Sequence, residues 1–314
     1  MPSWHRTRCW CTEATPAPLP LCLEPNVFWM LARRLAAVVA VLALLGCTAL
    51  GPAAAPHGLA PISRLQQLLP ADAIFLGEQH DVPDHQRIQR AVVEALARQQ
   101  TLAVLALEMA SQGQSTEKLG SDASEDAVRA ALHWNNEGWP WAAYGPAVMA
   151  AVHAGVSVVG ANLPPARVRA AMIDSGLDAL LSSPALQAQQ EKVRVGHCNL
   201  LPESQIAPMT RVQIARDVAM AQTVARAALP GKIVLLLAGG GHVDRSLGVP
   251  LHLPPDLTAK TVLLQAGPTS DDTESADNFD QTWATEPAPV KDYCADFSKQ
   301  RSATAAASKS KKEP

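Results

Sequence analysis

The chain has 314 residues, 48% of them hydrophobic and 18% charged, which is enough apolar material for one sizeable core with tails. That balance excludes an intrinsically disordered chain. The formal net charge of −3 offers no cationic surface for a phosphate backbone, so no nucleic-acid partner is expected.

Taken in chain order, the first clear segment is residues 30–47, MLARRLAAVVAVLALLGC, with a basic start, an apolar stretch and small residues before a cysteine. It has the layout of a secretory signal and is short for a membrane span. Its end, Leu44-Leu45-Gly46-Cys47, resembles a bacterial lipobox, which implies a signal peptide over 30–46 and a lipid anchor on Cys47. An uncleaved signal anchor and an ordinary signal with a chance cysteine remain as alternatives. Residues 1–29 precede this signal and read as a gene-start extension, with Met30 as the expected initiator. Thr48 follows the cysteine where Asp would favour inner-membrane retention, so the expected location is periplasmic or at the cell surface, with the outer membrane preferred. Cys9, Cys11 and Cys22 leave with the extension, and Cys198 and Cys294 remain either to pair or to stay as two thiols.

Residues 47–61, small and proline-containing, form a tether. The domain is expected over 62–267, followed by a polar, largely disordered tail over 268–314. Within the domain, apolar runs at Ala73–Leu76, Leu102–Leu107, Val156–Val159, Ile233–Ala238 and Thr261–Leu264 predict strands covered on both faces. Segments at 84–98, 142–154, 164–173 and 210–229 carry helical periodicity. The alternation predicts an α/β fold, a doubly wound and mostly parallel sheet flanked by helices, and 174–208 reads as a helical insertion.

Polar groups recur where the strands end, the place where open parallel sheets bind ligands. Gly77-Glu78-Gln79-His80 follows the first strand, Glu108 the second, Asn162 the third and Gly239-Gly240-Gly241-His242 the fourth. The two Gly-x-x-His endings suggest one shared site. His80, His242, Glu78 and Glu108 are the ligand types of a divalent metal site, and of a hydrolase in which Glu78 or Glu108 acts as general base. Helix capping is the plainer account of each polar residue taken singly. The glycine run lacks a following Lys-Ser/Thr, which weakens a phosphate-cradle reading.

A second patch runs from His133 to Tyr144. Aromatic residues are 4% of the chain, yet Trp134, Trp139, Trp141 and Tyr144 all fall here. Core packing at a helix start is one account; a flat surface for a planar ligand, with Tyr144 as a ferric iron ligand, is the other.

These residues resemble the ChaN-like haem-binding lipoproteins of the haem-uptake Tiki superfamily. The resemblance rests on Ile74 to Asp81 with His85 and Gln89, Leu107-Glu108-Met109, Trp139 with Tyr144, Ala161 to Pro164, Gln213 with Arg216-Asp217 and Met220-Ala221, and Gly239 to Val243 with Gly248-Val249-Pro250. Family members often carry a histidine pair where this chain has His85-Gln86. The resemblance implies a haem-binding lipoprotein of haem or iron uptake or storage, a tyrosine (Tyr144) on the iron, His80 or His242 nearby, two haems facing each other across a homodimer, and haem-transporter components as partners. Trp139, Trp141 and Glu78 complete the expected cofactor site, with Arg167 or Arg169 set against the propionates. The superfamily also contains metal-dependent proteases and esterase-like enzymes, so a hydrolase using His80, His242, Glu78 and Glu108 is the alternative.

Overall fold

A computed structural model describes residues 60–267, 276–289, 291–295 and 298–299. The gene-start extension, the signal peptide, Cys47 and residues 47–59 of the tether lie outside the described residues. Six strands form one sheet: β1 (Ala73–Glu78), β2 (Leu102–Ser111), β3 (Ser157–Asn162), β4 (Ile233–Gly239), β5 (Ala259–Ala266) and β6 (Gln281–Thr285). They lie in the order β3-β2-β4-β1-β5-β6, and every pairing is parallel.

The two central strands, β1 and β4, are buried at every position. Layers on both sheet faces explain why their sequences run apolar without alternation. A fully buried Leu, Ile or Phe side chain contributes about 1.5–3 kcal/mol by leaving water, so these strands anchor the core. On one face, Ile74, Leu76, Leu105, Leu235 and Leu237 meet helices α2 (Pro83–Arg98) and α4 (Trp141–His153). On the other, Phe75, Ala106 and Leu236 meet the long helix α7 (Glu203–Ala227), against which α5 (Pro165–Ile173) packs. The short helices α1 (Ala60–Leu65) and α3 (Glu125–Ala131) stand before β1 and between β2 and α4. The 174–208 insertion is a 3-10 segment (Ser175–Leu180), helix α6 (Ser183–Gly196) and a turn into α7.

Two features extend the sequence reading. The sheet continues past residue 267: β6 adds a sixth strand and buries Trp283, so part of the expected tail belongs to the fold. Gln-Thr-Trp-Ala-Thr carries no apolar run, because an edge strand buried through one large side chain needs none. Cys198, in the turn after α6, and Cys294, beyond β6, form a disulfide that closes a span of 96 residues.

The loop leaving β1 runs to α2 on one face, whereas the chain leaving β4 passes through two 3-10 turns, the second of them packed with α7 on the other face. Between these diverging connections lies the crevice at the carboxyl ends of β1, β4 and β2.

A buried carboxylate–histidine network at the strand ends

Glu78, the last residue of β1, is the hub. Its Oε1 accepts the Tyr144 hydroxyl at 2.7 Å and faces His80 Nδ1 at 2.8 Å; its Oε2 accepts amide N–H groups of Gln86 and Gln89, each at 2.8 Å. Helix α2 supplies both glutamines through one mixed stripe. His85, Gln89, Val92 and Leu96 recur at helical spacing, all buried, polar in the first turns and apolar beyond. Pro83 at the helix start and Asp84 in its first turn fix where that stripe begins.

Glu108 of β2 is the second hub. Its Oε2 accepts the Gly239 backbone N–H at 2.6 Å, and its Oε1 lies 3.4 Å from His242 Nε2. The other nitrogen of His242 meets Asp217 of α7 at 2.6 Å. His80 Nε2 stands 4.0 Å from Glu108, which completes a chain from Glu78 through His80, Glu108 and His242 to Asp217. Burial alone would lower the His242 pKa, but the carboxylates of Glu108 and Asp217 raise it to about 10. Burial would raise Glu108, yet His242, then His80 and the Gly239 N–H, hold it near 2. Asp217 is pushed up by burial to about 6, an effect that His242 partly offsets. At neutral pH the inner site is therefore an imidazolium between two carboxylates.

His80 is the open member of the chain, with its side chain 41% exposed. Burial lowers its pKa, and the Glu78 hydrogen bond with the charges of Glu108 and Glu78 more than offsets this, for a net rise. Trp139 packs edge-on against it, with ring centroids 4.8 Å apart. Gly239 is required by this close approach, because a Cβ there would lie 2.9 Å from His80 Nε2. Gly77 is required likewise, since a Cβ would run into Val243 and Gly240.

The sequence-derived candidates divide. His80, His242, Glu78 and Glu108 do converge. Tyr144 also reaches the network, but its ring is 2% exposed and its oxygen is committed to Glu78. Burial, then the charge and hydrogen bond of Glu78, push its phenol far up, so it stays a hydrogen-bond donor to that carboxylate. Trp141 is a core residue, packed edge-on against Trp134 with its indole N–H donated to Glu125 at 2.8 Å, so it offers no open platform. Trp139 stays half-buried beside His80. Asn162 has the plainer role, donating to the Glu108 carbonyl and accepting from the Leu163 N–H. Arg167 and Arg169 lie on α5, across the sheet from α2, α4 and the tryptophans. Asp217 and Gln89, quoted above only as residues of the resemblance, and Gln86, quoted only as a departure from it, are members of the network. The signal for Asp217 was a lone acid between the buried Ile214 and Ala221 on one face of α7.

Among the described residues, no three His, Cys, Asp or Glu side chains are arranged to hold a metal ion.

Beside the network, a groove of about 420 Å³ opens between the starts of α2 and α4. Pro83, Pro140, Ala143 and Pro146 give it apolar walls, Arg87 and Arg90 give it a cationic edge, and Gln86 links it to Glu78. Both arginines hold partners on their own helix, Asp84 and Glu94. Exposed pairs of this kind contribute only about 0–1 kcal/mol and yield to a stronger anion.

Residues 64–253 match the family described as "Haem-binding uptake, Tiki superfamily, ChaN". The chain belongs to the ChaN family. Among solved structures, ChaN of Campylobacter jejuni, described with cofacial haem binding, superposes with a TM-score of 0.57 at 23% identity, covering 67% of this chain and 87% of that one. That likeness concerns the fold. An erythromycin esterase variant in an open conformation aligns with a TM-score of 0.39 at 14% identity, over 74% of this chain and 81% of that one. No curated protein sequence matches the chain. The ChaN match contains the whole network and stops before β6 and the disulfide's second cysteine.

Proposed function

We propose that this ChaN-family chain binds haem at the strand-end crevice and serves haem or iron uptake or storage. The observation that carries the reading is the pairing of an apolar, arginine-edged groove with a half-exposed histidine at the end of a fixed network. A tetrapyrrole has flat apolar faces and an anionic edge, and the groove has matching apolar walls and a cationic edge. The groove's lining suits the faces and edge of the group, and Gln86, which lines the groove and donates to the His80 carbonyl, connects it to the histidine. Bound haem would supply redox-active iron; the protein's part is to bind, orient and exclude water.

His80 is the iron donor that best suits this reading. Its Nδ1 faces Glu78, an arrangement that fixes the tautomer and leaves Nε2 as the free acceptor, the usual support for a ligating histidine. Iron ligation by Tyr144 would require its hydroxyl to leave Glu78 Oε1, which would then keep His80 Nδ1 alone. Arg87 and Arg90 take the propionates in place of Arg167 and Arg169. Trp139, packed edge-on against His80, would contribute an apolar ring next to a ligand held there. Lipid attachment at Cys47, display on the outer membrane toward the periplasm or cell surface, hand-over to transporter components, and a dimer with facing haems complete the proposal. Haemin titration of the full chain, followed by its absorption spectrum, tests it: a saturable Soret shift that His80→Ala abolishes is expected, and no shift in the unaltered chain refutes it.

The half-exposed His80, held at Nδ1 by Glu78 with the Glu108 carboxylate 4.0 Å from its Nε2, favours a second reading, a hydrolase in which His80 takes a proton from water. Ester or amide turnover by the haem-free chain, lost in His80→Ala and Glu108→Gln, would favour this reading over the first.

A further inference from the structure

The loop that carries His80 is held from outside the ChaN match. Gln79 Oε1 accepts the Ala266 N–H at 3.1 Å. The Gln79 N–H donates to His85 Nδ1 at 3.0 Å, and the other ring nitrogen of His85 meets Thr285 of β6 at 3.2 Å. On the solvent side, Asp81 receives Lys291 Nζ at 2.8 Å and the Tyr293 hydroxyl. The next residue, Cys294, is bonded to Cys198 in the turn between α6 and α7. The segment after β6 thus touches the His80 loop at Asp81 and is fastened one residue later to the helical insertion.

The strengths of these ties are unequal. Lys291, Tyr293 and Asp81 are exposed, and exposed pairs contribute about 0–1 kcal/mol each. Such contacts do not hold a chain end in place alone. A covalent bond one residue away changes this, because it keeps both side chains at high effective concentration beside Asp81. Cys294 is exposed and Cys198 half-buried, so an attacking thiolate can reach the bond. Cys198 and Asn199 also hold left-handed backbone, at φ 58° and 54°, a conformation that persists only where its surroundings impose it.

We propose that residues 291–294 form a disulfide-fastened strap that positions the His80 loop, and that reduction of Cys198–Cys294 releases the strap and weakens ligand binding. The reaction is thiol–disulfide exchange: a dithiol reductant donates two electrons, its own sulfurs become a disulfide, and Cys198 and Cys294 leave as two thiols with the two protons. Asp81, Lys291 and Tyr293 are positioning residues, with no contact to the ligand required. For its ligand readout this inference rests on the haem reading; for its structural readout it does not.

The experiment uses the full chain, oxidised and then reduced with a dithiol, compared with Cys294→Ser and with Lys291→Ala/Tyr293→Phe. Amide hydrogen exchange of residues 79–82 reads the loop, and haemin titration reads the site. The expected result is faster exchange at 79–82 and haemin binding weaker by about fivefold on reduction, both reproduced by Cys294→Ser, which itself no longer responds to reductant. Lys291→Ala/Tyr293→Phe should move both readouts the same way with the disulfide intact. Unchanged exchange at 79–82 on reduction overturns the strap, whether or not haemin binds. Faster exchange with no haemin binding by the oxidised chain leaves the strap standing and refutes the haem reading. Faster exchange with undiminished haemin affinity overturns the control of binding. Tm values measured alongside identify any variant that has lost the fold, and reduction of the unaltered chain then decides.

Discussion

The interior of the site and its rim are built from the same residue types and held by opposite means. Inside, every carboxylate oxygen of Glu78 and Glu108 meets a donor or an imidazole, which fixes their position, while Gln89 Oε1 is buried without a hydrogen-bond partner. At the rim, Asp81 also meets a lysine and a tyrosine, but in water, and a disulfide beside them keeps the pairing in place. A buried network is stable because any broken bond strands a polar group; an exposed one is stable only if something tethers it. Function that needs a fixed donor belongs inside, and function that needs release belongs at the rim.

The comparison is broken most severely at Glu78. Glu78→Ala removes the shared acceptor of Tyr144, Gln86, Gln89 and His80, leaving Tyr144 and Gln86 only the His80 carbonyl, and denaturant unfolding should show a loss of about 3 kcal/mol. Glu108→Gln leaves a protonated His242 with Asp217 alone, for about 3 kcal/mol. That network also sets a pH window. Stability from Glu108 is complete above its ordinary 4.5 and lost as pH falls through about 2. Stability from His242 is complete below its ordinary 6.5 and lost as pH rises through about 10. Asp217, raised to about 6, acts in the opposite sense and trims the window from within. Thermal melts across pH should fall away in alkali, and His242→Gln should flatten that limb. A limb that survives His242→Gln would assign it to another group.

Smaller effects separate packing from binding. Tyr144→Phe removes one buried hydrogen bond, about 1 kcal/mol, and should leave the haemin spectrum as it was; a changed iron ligation signature would return Tyr144 to the iron. Asp81→Ala should lower stability by less than about 0.5 kcal/mol while weakening haemin binding, because it loosens the loop and not the core. Equal losses in both would erase the distinction between rim and interior.

The sheet was legible because its central strands are apolar at every position, and the site was legible because glycine and polar residues follow those strands directly. Glu78, His80, Glu108 and His242 could be named from that pattern alone. Composition marks the aromatic cluster that contains Tyr144 without saying which ring faces out, and in the structure its hydroxyl meets Glu78. Trp141, in the same cluster, went to the core. Asp217 was visible as part of the resemblance, but its contact was hidden by distance, since nothing local shows that one acid on a long helix meets a histidine after the fourth strand. The strand β6 was hidden because an edge strand with one buried tryptophan has no periodic signal, whereas the Cys198–Cys294 bond was one of two readings left open, because cysteine pairing depends on separation in space.

The most direct measurement is absorption spectroscopy of haemin titrated into the full oxidised chain and into His80→Ala. A saturable Soret shift in the first that disappears in the second is the result this account predicts; a shift that His80→Ala leaves intact, or no shift at all, contradicts it.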